Sequence, residues 1–173
     1  MKIGLVGIGN VLMGDDGAGP YAIKLLEAGY SFPPDVTLVD AGTPGHELQA
    51  ILLDYEAIII IDTVKARGEP GEIRRYDRDT VLKGIPILAM SPHEPGLREA
   101  LMSLDMTGEG PTDIVLVGVI PHTVDLGTEL TGPVLKALPG LIDSVFSELS
   151  RLGVSVTPKD RPSEPDLWWR RKA

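Results

Sequence analysis

Cysteine is absent from this chain of 173 residues, which excludes disulfides, thiolate metal sites and cysteine nucleophiles. Long apolar runs are missing too: none approaches the roughly 20 residues that span a bilayer, so no membrane partner is expected. A basic excess is lacking. With 16 lysines and arginines against 25 aspartates and glutamates, the net charge is -9 and the pI about 4.7, so no basic face is available to displace counterions from a nucleic acid. Histidine is scarce, at 3 residues, and no histidine-rich tract of a metal store is present. The amino terminus joins one lysine to a short apolar stretch, but glycines interrupt it, Asp15 and Asp16 end it, and no small-residue cleavage site follows. A cytoplasmic protein is expected.

What is present is 43% apolar composition in a length that suits one core. Residues 2–8 (KIGLVGI), 36–40 (VTLVD), 57–62 (AIIIID) and 113–119 (DIVLVGV) are short, β-branched and almost continuously apolar, as strands buried on both faces must be. Helical spacing occupies 17–28, 46–53, 95–104 and 131–152. This alternation predicts an α/β fold: a single-domain three-layer sandwich whose largely parallel, twisted sheet carries helices on both faces. Residues 71–77 (GEIRRYD) are more polar and read as an edge strand. No internal repeat is found. The expected domain is 1–156, followed by a flexible or docking carboxyl-terminal tail, 157–173, rich in proline and charge and containing Trp168 and Trp169.

Three aspartates lie where the chain leaves apparent strands, Asp16, Asp40 and Asp62, and His93 follows on a later loop. In an open α/β sheet the loops at the carboxyl ends of parallel strands converge on one crevice. Carboxylates and an imidazole gathered there suggest a metal site. The plainer alternative is that Asp15 or Asp16 caps a helix and that Asp40 and Asp62 form turns. The first loop, GIGNVLMGDDGAG, imitates a dinucleotide-binding turn, but Leu12 stands where the third glycine belongs, and no Gly-Lys-Ser/Thr phosphate loop occurs. His46 and His93 each precede a glutamate, yet Ala50 and Leu97 stand where a zinc-protease helix would need its second histidine. His46 is expected to open a helix, with Glu47 in its first turn. His122, just after the last apolar strand, is a lesser candidate for the crevice.

Taken together, GIGNVLMGDDGAG, DAGTPGHEL, the strand ending Ile61-Asp62, SPHEPGL and TGEGPTDIVLVGVIP run in the order and spacing of the hydrogenase maturation proteases, and the chain resembles that family over roughly residues 1–152. The resemblance implies an endopeptidase that removes the carboxyl-terminal extension of a [NiFe]-hydrogenase large-subunit precursor. It implies that Asp16, Asp62 and His93 form the catalytic metal site, and that the metal is the nickel of the precursor, with zinc, cadmium or another divalent ion able to take its place. Asp40, Gly42, Thr43 and Gly45 are then candidates for substrate binding, the glycines letting a peptide backbone approach closely. Thr63 departs from the alanine common in the family, and Glu94 from a common glutamine.

A site of one imidazole and two carboxylates suits nickel, zinc, iron or manganese. No G-x-S-x-G elbow is present, so water activated by metal or by a carboxylate is the expected nucleophile. A nonenzymatic nickel carrier and a general metallohydrolase of the same fold are the alternatives. An enzyme that grips a protein terminus can act as a monomer.

Overall fold

A computed structural model describes residues 1–83 and 94–170. The main sheet contains β1 (Ile3–Ile8), β3 (Val36–Gly42), β4 (Ala57–Thr63), β5 (Ile73–Asp77) and β6 (Asp113–Val119), in the spatial order β3-β1-β4-β6-β5. Three pairings, β1 with β3, β1 with β4 and β4 with β6, run parallel, and β5 closes the edge antiparallel to β6. The expected edge strand is thus at an edge. Its half-buried and exposed side chains explain why its sequence is more polar than that of the fully buried β4.

Alternation along the strands divides the core in two. Ile3, Leu5, Ile59, Ile61, Val115 and Val117 meet α1 (Ala18–Gly29) and α5 (Gly132–Arg151) on one face. Val6, Ile8, Ile58, Ile60, Ile114 and Leu116 meet α2 (Glu47–Leu53), α3 (Arg78–Lys83) and α4 (Glu94–Thr107) on the other. Helices therefore cover both faces of a mostly parallel sheet, as the alternating sequence pattern requires. Gly19 brings α1 against the sheet: a Cβ built there would lie 2.3 Å from both Ile8 O and Ile61 O, so no larger residue fits at this approach.

The chain runs from β1 out to β3 and returns to β4 on the opposite side of β1. The order reverses between β1 and β4, and loops that leave these strands in opposite directions open a crevice at their carboxyl ends. Asp16 follows β1 and Asp62 is the last residue but one of β4.

The sequence pattern overlooked two features. The short helix α3 has its start marked by Asp77, whose carboxylate accepts hydrogen bonds from the Thr80 N–H at 2.9 Å and hydroxyl at 2.7 Å. Residues 157–170 are packed on their own chain, in contrast to a flexible end. β7 (Thr157–Pro158) pairs antiparallel with β2 (Tyr30–Ser31), and Lys159 and Ser163 donate backbone N–H bonds to Gly29 and Ala28. Trp169 is 8% exposed and meets the Tyr21 ring edge-on at 6.2 Å. Arg170 pairs with Glu129 at 2.6 Å. The partners of this strap lie far away in sequence, so no periodicity announces it. Among the described residues no helix is long and apolar enough to cross a membrane.

Candidate functional site

Thr63, the last residue of β4, bonds both Asp62 beside it and Asp16 on the turn that follows the neighbouring strand β1. Thr63 donates its backbone N–H to Asp62 Oδ1 at 2.7 Å and its hydroxyl to Asp16 Oδ1 at 3.2 Å. All three residues are buried, Asp16 at 5%, Asp62 at 3% and Thr63 at 1% exposure. The other Asp16 oxygen accepts the Asn10 N–H at 2.9 Å, so the loop after β1 folds back on its own carboxylate. Gly9 makes that fold possible, with φ +146° and a Cβ position only 1.8 Å from Asp16 O. Neither Asp15 nor Asp16 caps α1, which begins after Gly17 with no side-chain cap.

Asp15 is turned away from this pair and wholly buried. Its Oδ2 accepts the N–H groups of His122 at 2.8 Å and Thr123 at 3.2 Å and the Thr131 hydroxyl at 2.8 Å, while its Oδ1 accepts the Thr131 N–H at 2.7 Å. Thr131 is the residue from which α5 starts, so Asp15 clasps the whole connection between β6 and α5. The pair of aspartates in the first motif thus divides into a clasp and a residue that meets Thr63. The His122 side chain is exposed, and its contribution to the clasp comes through the backbone.

Asp40 behaves as the turn former anticipated in the plainer reading, its Oδ1 accepting the Gly42 N–H at 3.2 Å. The same turn adjoins the site, because the Gly9 N–H donates to Gly42 O at 2.8 Å. Gly42 and Gly45 have φ of +55° and +51°, with open space where a side chain would stand. Thr43 is exposed between them. Gly45 and the exposed His46, which opens α2, border a cleft of about 350 Å³ between α2 and α4, lined also by Gln49, Glu99 and Ser103. His93, the third expected ligand, lies outside the described residues, and among the described residues no group of three histidines, aspartates or glutamates gathers as a metal cage. Asp16 and Asp62 nonetheless offer the oxygen donors that divalent cations take. A carboxylate oxygen can accept a hydrogen bond on one side and face a metal on the other.

The family model for hydrogenase maturation proteases matches residues 20–148. This chain belongs to that family. It is 31% identical over 160 residues to the hydrogenase 2 maturation protease of Escherichia coli, covering 92% of this chain and 98% of that one. It is 32% identical over 159 residues to the hydrogenase expression/formation protein HupD of Rhizobium leguminosarum bv. viciae, covering 91% and 79%. The solved structure of the E. coli hydrogenase maturating endopeptidase HybD superposes with a TM-score of 0.84 at 32% identity, covering 92% of this chain and 98% of that one. The chain is accordingly an endopeptidase of hydrogenase maturation. Thr63 is the residue that sequence reasoning undervalued: its hydroxyl, which an alanine would lack, reaches Asp16, while its backbone N–H bonds Asp62.

Proposed function

We propose that this protease removes the carboxyl-terminal extension of a [NiFe]-hydrogenase large-subunit precursor, and that it recognises the precursor's nickel through Asp16, Asp62 and His93. The observation that carries the reading is the buried pair Asp16 and Asp62, joined by Thr63 at the point where the sheet order reverses, in a chain of this family. Buried carboxylates are costly unless hydrogen bonds or cations satisfy them, so a pair held in one crevice favours a cationic ligand.

In this reading the nickel is part of the substrate. Nickel held by these residues would supply a Lewis acid for the scissile carbonyl or for water, and a carboxylate acting as base is the other route to the attacking water. Thr63 keeps the two carboxylates in register, and the Asn10 N–H holds Asp16 in place as the ligand arrives. Asp40 shapes the turn whose open glycines, Gly42 and Gly45, with Thr43, accept the precursor backbone. Cleavage then follows metal insertion, because a precursor without nickel presents no cation for these carboxylates to ligate.

Intact-mass measurement on nickel-loaded and nickel-free precursor after incubation with the protein tests this. Loss of a short carboxyl-terminal peptide from the loaded form alone is expected. Cleavage of both forms, or of unrelated peptides without nickel, identifies a general hydrolase; metal-dependent binding without cleavage identifies a carrier. Replacing Asp16, Asp62 and His93 together by alanine abolishes processing while the melting transition remains, and wild-type processing by that folded variant would remove the site assignment.

A further inference from the structure

Two leucines stand exposed beside the site on segments that the fold holds rigidly together. Leu12 is 49% exposed at the tip of the loop after β1, and Leu126 is 85% exposed in the connection from β6 to α5. A parallel bridge pairs Met13 with Gly127, so Leu12 and Leu126 are neighbours one step before it on their respective segments. Backbone bonds on either side fix the match: Gly127 N–H to Leu12 O at 2.9 Å and Gly14 N–H to Gly127 O at 2.8 Å. The Leu12 N–H is tied to Asn10 Oδ1 at 3.0 Å.

Both segments are also anchored to the site. The Asn10–Asp16 loop closes on Asp16 through the Asn10 N–H and through the Asp16 N–H, which donates to Met13 O at 3.1 Å. The 121–131 segment is fastened by Asp15 at His122, Thr123 and Thr131. A lone exposed leucine is ordinary on a protein surface. Two adjacent ones, held in register at the rim of a buried carboxylate pair, form a preorganised apolar contact, which loses little entropy when a partner arrives.

We propose that Leu12 and Leu126 form an apolar lip that binds an apolar segment of the protein substrate next to the residues being cleaved. The inference rests on the proteolytic reading of the Asp16 and Asp62 site, and it assigns to the lip affinity for the precursor rather than chemistry. Contacts made equally in the ground state and the transition state change KM and leave kcat alone.

The test is steady-state cleavage of nickel-loaded precursor by the full chain and by Leu12→Ser, Leu126→Ser, the double variant, and Leu53→Ser, a leucine 45% exposed at the end of α2. Each lip variant is expected to raise KM by roughly fivefold to tenfold, as loss of a leucine contact about half buried in the complex implies, with kcat and the melting temperature unchanged. Leu53→Ser leaves KM as it was. Cleavage by the wild type, with a double-variant KM within about twofold of it, overturns the lip and leaves the protease reading intact. An equal rise in the Leu53→Ser variant overturns it as well. Should the double variant lose its folded transition, Leu126→Ser alone decides the matter, since its side chain is almost free of neighbours. Failure of the wild type to cleave the loaded precursor is a failure of the functional reading itself, and it removes the occupant proposed for the lip.

Discussion

Replacing Asp15 by alanine isolates the clasp that organises one wall of the crevice. The substitution deletes a fully buried acceptor and orphans three backbone N–H groups and one hydroxyl that now bond to it at 2.7–3.2 Å. Hydrogen bonds to a charged acceptor are worth about 1.5–3 kcal/mol each, but the donors lie in partly exposed residues that water can reach. Taking about 1 kcal/mol for each bond gives a loss of about 3–4 kcal/mol. For a domain of this size that corresponds to a melting temperature lower by roughly 6–16 °C. Asp15→Asn should cost about half as much, because the amide keeps one acceptor and sets its NH2 group against donors. Thermal and urea unfolding at neutral pH measure both, and amide hydrogen exchange reports whether His122, Thr123 and Thr131 lose protection first. A loss below about 1 kcal/mol for Asp15→Ala, with those amides still protected, would refute the clasp.

Thr63→Val, isosteric but without the hydroxyl, should lower stability by about 1–2 kcal/mol by leaving Asp16 Oδ1 without that donor, and an unchanged unfolding midpoint would show that the bond carries no weight. Glu148 is buried between α5 and the sheet edge; burial pushes its pKa up, but hydrogen bonds from Arg75 and Arg151 outweigh this and hold it below the usual carboxylate range, while Arg151 similarly holds Asp113 down. Because these carboxyls bind protons less readily when folded, their stabilisation is complete above about pH 5 and is lost as pH falls through the folded values. Glu148→Gln should cost about 1–2 kcal/mol at pH 7, discounted because Arg75 and Arg151 are nearly half exposed, and should flatten the decline in stability between pH 6 and 3; an unaltered pH profile would contradict this. Trp169→Ala should lower stability by roughly 2 kcal/mol, less than a core tryptophan because the strap can fray, and a melting curve superimposable on the wild type would mean that residues 157–170 do not hold to the body.

The layered fold was legible in the sequence because its signals are local. Continuous β-branched runs such as Ala57–Thr63 cannot be satisfied except with apolar cover on both faces, and the helical patterns between them supply that cover. That Asp16 and Asp62 share one edge of the sheet was legible for a related reason, because parallel strands deliver their carboxyl-terminal loops to the same side; their closeness follows from the pairing of β1 with β4. Motif resemblance named the family, which the comparisons then showed.

Tertiary structure alone decided how neighbouring carboxylates differ. Asp15 and Asp16 are adjacent and chemically identical in sequence, yet one meets donors more than 100 residues away at His122, Thr123 and Thr131, and the other meets Thr63. Likewise Thr157–Pro158 and Trp169 read as an aperiodic end until Tyr30–Ser31 and Tyr21 come within reach. Periodicity and propensity describe what a segment can bury along its own length. Which hydrogen-bond donor faces which carboxylate depends on chain closure between distant segments, and only the folded chain brings those segments together.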